Sequence, residues 1–120
     1  MRIAIWVVRV CFILALIMGV LFWTGNYTYM PRAVDTHRLL GLIVTIALWV
    51  IAGILMTSKP GNRGIAIGAF VWGIVLLIVG FTQDSFVIGP GNVVTKIVHA
   101  LLGIGAIGLS EMMNARHKRD

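Results

Sequence analysis

Apolar residues run along this chain in four long stretches, at positions 3–24, 37–57, 64–82 and 93–113, with short polar segments between them. As a helix, each stretch rises about 1.5 Å per residue and reaches across a hydrocarbon layer of roughly 30 Å. None alternates apolar with polar positions as a half-buried strand would. The segments between them carry turn-forming residues: Gly25 through Asp35 with Pro31, then Ser58-Lys59-Pro60-Gly61-Asn62-Arg63, then Gln83, Asp84 and Gly89-Pro90-Gly91-Asn92. The pattern predicts an all-α fold, an integral membrane four-helix bundle running up and down as two tandem helical hairpins. Residues 1–120 form a single membrane domain on this reading.

Polar and aromatic exceptions refine the picture. Arg9 lies close enough to one end of the first run to snorkel. Trp6, Trp23, Tyr27 and Tyr29 sit where interfacial anchors are expected, whereas Trp49 and Trp72 lie deeper and are read as packing between helices, with contact to a cofactor as the lesser alternative. Gly68 follows Gly64 at the spacing that lets helices approach closely. Asp35 and Asp84 fall in loops and His117 in a basic tail, all read as solvated. Glu111, near the end of the last run, is expected to pair with a basic neighbour such as Arg116.

Composition agrees with lipid as the main solvent. Hydrophobic residues make up 59% of the chain, charged ones 12%, and the mean hydropathy is +0.98. A soluble domain of this length could not hide so much apolar surface. The formal charge of +6 would suggest nucleic acid in a soluble protein, but here the basic residues flank the apolar runs and act as topology signals. Arg2, Arg9, Lys59, Arg63, Arg116, Lys118 and Arg119 fall on one side, and Arg32, Arg38 and Lys96 on the other. The positive-inside rule then puts both termini and the middle connection in the cytoplasm, in a bacterial cytoplasmic membrane. Met1-Arg2 before an apolar stretch resembles a signal peptide, but the run is long enough to span and is read as a retained helix. The single cysteine, Cys11, permits no intrachain disulfide, redox pair or thioether haem attachment.

One pattern occurs twice. His37-Arg38-Leu39-Leu40-Gly41 returns 62 positions later as His99-Ala100-Leu101-Leu102-Gly103. Each copy places a histidine and, one turn on, a glycine on the same helix face. Small residues continue the stripe through Thr45 and Ala52 in one copy and Ala106 and Ser110 in the other. Two imidazoles from facing helices can hold a haem iron from both sides, and an ionisable group inside a span is a functional candidate by default. His37 and His99 are therefore the expected metal ligands, with Gly41 and Gly103 clearing space for a porphyrin. Arg38 and Lys96 are placed to meet its propionates. Counted back from Met56 and Met113, the two histidines differ in depth by 5 residues, or about 7 Å. That mismatch makes His37 the weaker ligand.

A histidine followed by arginine at the start of the second helix, and another histidine in the outer half of the fourth, resemble one four-helix half of the haem A synthase family and similar small membrane b-type cytochromes. The resemblance implies that His37 and His99 are axial ligands to haem b. The catalytic half of that family carries a glutamate just before its first histidine and a cysteine pair in an outer loop. Here Val34, Asp35 and Thr36 precede His37, and no loop holds a cysteine. The departures point to an electron-transfer or haem-binding subunit rather than a catalyst. Its expected partners are other membrane redox subunits or a quinone pool, with self-association open and no nucleic acid. The reading from another class is a non-redox accessory subunit that stabilises a large membrane complex. A small proton-coupled exporter is disfavoured because the first span has no carboxylate.

Overall fold

The computed structural model describes residues 1–23, 31–86 and 91–119. The chain is helical almost throughout: α1 (Arg2–Trp23), α2 (Pro31–Ser58), a 3-10 turn over Pro60–Asn62, α3 (Arg63–Phe86) and α4 (Gly91–Lys118). All four helices are long and apolar enough to cross a membrane, over Arg2–Leu21, Asp35–Ser58, Pro60–Thr82 and Lys96–Lys118. The molecule measures 48 × 24 × 16 Å, a bundle one helix long and two helices wide.

The helices outrun the apolar stretches. Pro31 opens α2 six residues before His37, which suits a residue with fixed φ and no N–H to leave unpaired in a first turn. The segment read as a loop up to Asp35 is thus helical from Pro31 onward. At the other end of the chain, α4 continues five residues past Met113, so Arg116, His117 and Lys118 form its last turn rather than an unstructured tail. Cations there oppose the negative end of the helix dipole. Tyr27 and Tyr29, and the side chains of Trp23, Arg32 and Asp84, lie outside the described residues.

Packing is centred on α2 and α4, each of which touches all three other helices, while α1 and α3 occupy opposite corners. Val44, Thr45, Leu48, Ile51, Ala52 and Leu55 make the buried face of α2, and Ala106, Ser110, Met113 and Asn114 that of α4. The expected small-residue stripe therefore does face inward, with Thr45, Ala52, Ala106 and Ser110 fully buried. Its hydroxyls cost little there, because Thr45 donates to the Gly41 carbonyl at 2.9 Å and Ser110 to that of Ala106 at 2.8 Å. Large apolar side chains cover the outside instead, among them Ile3, Ile13, Ile17, Val71, Ile78 and Leu101. Such a surface is at home against acyl chains and not against water.

The two deep tryptophans pack between helices, as the sequence indicates, and do so in the same way. Trp49 Nε1 donates to the Phe70 carbonyl at 3.3 Å with the indole on Gly73, and Trp72 Nε1 donates to the Leu102 carbonyl at 2.8 Å with the indole on Gly105. A Cβ on Gly105 would stand 2.2 Å from Trp72 Cζ2, whereas one on Gly108, a turn away, would meet nothing within 4 Å. Gly105→Ala is accordingly expected to cost about 1–3 kcal/mol through overpacking a rigid ring. Gly108→Ala is expected to be near neutral. Thermal melts of the two variants in one detergent test the difference, and equal melting temperatures would refute it.

Candidate histidine site

α2 and α4 bring the two repeated histidines together. Their ring centres lie 6.2 Å apart with the ring planes at 67°. The depth mismatch expected from the apolar runs is removed by the true helix ends. From His37 to Ser58 is 21 residues and from His99 to Lys118 is 19, so the rings stand nearly level.

Each imidazole is backed by a glycine of the preceding helix. A Cβ on Gly19 of α1 would lie 3.5 Å from His37 Cε1, and one on Gly80 of α3 would lie 3.0 Å from His99 Cε1. The second contact is tighter than most side chains make, so a Cβ there would require the ring to give by a few tenths of an ångström. The main chain of Ala15, one turn before Gly19, accepts a hydrogen bond from His37 and fixes its orientation. His99 Nδ1 is buried and has no hydrogen-bond partner among the described residues. Leaving a polar nitrogen so costs about 1–3 kcal/mol unless something else engages that ring.

Gly19 and Gly80 were not singled out by sequence reasoning, although a signal existed. They stand 61 positions apart, almost the spacing of the histidines. The glycines that sequence did single out are placed differently. A Cβ on Gly41 meets nothing within 4 Å, and one on Gly103 meets only Phe12 Cε2 at 3.7 Å. Gly41, one turn after His37 in sequence, thus faces open space. Arg38 sets its guanidinium 6.0 Å from the centre of the Phe81 ring, next in sequence to Gly80, and Lys96 lies half-buried one turn before His99.

Two imidazole nitrogens each about 2 Å from a common metal put the ring centres roughly 6 Å apart, the separation observed here. A bare ion would lack further protein ligands, because no third His, Cys, Asp or Glu joins the pair among the described residues. Protein-only sites for a transition metal ordinarily supply three or four donors.

A second polar contact closes the bundle at the end carrying both termini. Arg9 of α1 and Glu111 of α4 form a two-pronged ion pair, Nε to Oε1 at 2.5 Å and Nη2 to Oε2 at 2.8 Å, with the guanidinium 4.8 Å from the Trp6 ring centre. This corrects two expectations. Glu111 pairs with Arg9 rather than Arg116, which donates to Asn62 Oδ1 at 3.0 Å, and Arg9 is engaged across the bundle rather than only reaching for the interface. The two residues are 102 positions apart, and the fork forms because α1 and α4 are neighbours. Comparison with known protein families, characterised proteins and solved structures returns no match to this chain.

Proposed function

We propose that the chain is a four-span membrane protein, its helices running up and down, that holds one haem b between His37 and His99 and serves as a small b-type cytochrome. The observation that carries the reading is the pair itself: two level imidazoles on the two central helices, 6.2 Å apart, each backed by a glycine. Because a porphyrin would bring four nitrogens of its own, His37 and His99 would be the two donors asked of the chain. When bound, the haem supplies one-electron transfer. The chain's part is to orient the two rings, to keep water from them with an apolar bundle, and to leave room on the Gly41 side. Electron donors and acceptors are proposed to be other membrane redox subunits or a quinone.

The visible spectrum of the detergent-purified protein tests this. A Soret band with sharp reduced α and β bands is expected. A purified chain without pigment, after expression with ample haem supply, would leave the non-redox accessory subunit as the better reading.

The basic asymmetry places both termini in the cytoplasm on this proposal. Single cysteines near Asn62 and Arg116 should resist membrane-impermeant labelling from outside, and one near Asp84 should react. Labelling at Asn62 from outside would reverse the orientation.

Arg38 and Lys96 stand near the histidine end of the bundle, where propionates would emerge. Arg38→Gln is expected to shift the haem midpoint potential by removing a nearby positive charge, which favours the oxidised form and so lowers the potential. Redox titration reads it directly, and an unchanged potential in both Arg38→Gln and Lys96→Gln would place the propionates elsewhere.

A further inference from the structure

The two hairpins correspond residue by residue, and the correspondence exposes one place where they differ. Gly19 and Gly80, which back the imidazoles, are 61 positions apart, and the imidazoles themselves 62. The same offsets relate the seams that join one hairpin to the other. Arg9 meets Glu111 between α1 and α4, and Phe70 meets Trp49 between α3 and α2, the two rings 6.4 Å apart. Arg9 and Phe70 are 61 positions apart, Trp49 and Glu111 62. The α1–α4 seam is therefore the counterpart of the α3–α2 seam.

One turn from Arg9 toward the histidines, the counterparts part company. Phe12 of α1 lays its ring on Gly103 of α4, with Cε2 3.7 Å from where a Cβ would stand. At the same offsets the matching residues are Gly73 of α3 and Gly41 of α2. Gly73 has no side chain to offer, and a Cβ on Gly41 would meet nothing within 4 Å. That opening belongs to the interior. Gly41 lies on the face of α2 that carries His37 one turn before it and the fully buried Thr45 one turn after it. Phe12 is itself half-buried and packed against the core.

We propose that Phe12 is a positioning residue of the haem site, its ring closing the α1–α4 side of the space one turn below the imidazoles while the Gly41 side stays open. The inference rests on the haem reading and adds to it a wall for the cofactor edge. One turn of helix, about 5.4 Å, is within reach of a macrocycle centred between the two imidazoles. An aromatic ring there presents a rigid apolar surface to that edge. Because its counterpart is a glycine, the two sides of the site differ, and haem b, whose vinyl groups make its two flipped orientations distinct, has a preferred way round.

Fluorine magnetic resonance of the full-length, haem-loaded protein carrying para-fluorophenylalanine at position 12 tests the contact. Low-spin ferric haem is paramagnetic and low-spin ferrous haem is not, so the resonance should shift between the two states. The same label at position 70, in the counterpart seam, should stay in place. Phe12→Ala should release haem to apomyoglobin several-fold faster and turn one dominant set of haem methyl resonances into two, with Phe12→Leu falling between. An unmoved position-12 resonance in a protein that binds haem would overturn the proposal. So would a single unchanged set of methyl resonances in a folded Phe12→Ala variant. Wild-type protein purified without haem would refute the haem reading itself, and the role of Phe12 with it.

Discussion

His99→Ala and His37→Ala are each expected to lose low-spin haem while still inserting into the membrane. Neither histidine can be replaced by a neighbouring side chain, because no third His, Cys, Asp or Glu joins the pair among the described residues. Residual pigment should be high-spin and held at least about tenfold more weakly, since loss of even a partner of a ligand typically costs that much. Optical and paramagnetic resonance spectra distinguish the two spin states. The structure changes the expected order of the variants. Apolar run lengths make His37 the weaker ligand, but the two rings stand level, and Ala15 orients His37 while His99 Nδ1 has no hydrogen-bond partner among the described residues. The losses should therefore be of similar size. Full low-spin haem in either variant would break the pairing.

Much of this arrangement is legible in the residues. Four apolar runs mark four helices, because no other backbone form satisfies its own hydrogen bonds over such lengths in lipid. A repeated His-x-Leu-Leu-Gly motif finds the two rings that meet, and the small residues after it find the inner faces of α2 and α4. Helix ends are less legible. Hydrophobicity stops at Met113, but the backbone of α4 continues through polar residues that keep good helix propensity, and this removes the depth mismatch.

Contacts made across helices are the least legible. Apart from Arg9 and the residues at their ends, α1 and α3 are apolar around their circumference, so the spacing of their residues does not mark which side faces the core. Gly19 and Gly80 consequently look like any other glycines in a span until α2 and α4 are placed against them. Arg9 and Glu111 show the same limit. Each has a plausible neighbour in sequence, and the adjacency of the first and last helices decides the pairing.

The glycines give the second large effect. Gly80→Leu is expected to prevent haem incorporation although both histidines remain, because its Cβ alone would press within 3.0 Å of His99 Cε1 and the branched end must displace the ring. Gly19→Leu should act in the same direction but less strongly, starting from a contact at 3.5 Å. Gly41→Leu meets no protein atom within 4 Å at its Cβ, so on the proposed function a loss of haem there is expected to come from filling the space beside the cofactor rather than from a backbone clash. The haem-free proteins tell the two causes apart. Histidine ring resonances in the nuclear magnetic resonance spectrum of the apoprotein should move in Gly80→Leu, where the imidazole is pushed, and stay in place in Gly41→Leu, where it is not. Normal haem content in Gly80→Leu would show that α3 does not seat His99, and the proposed site would then have to be held by α2 and α4 alone.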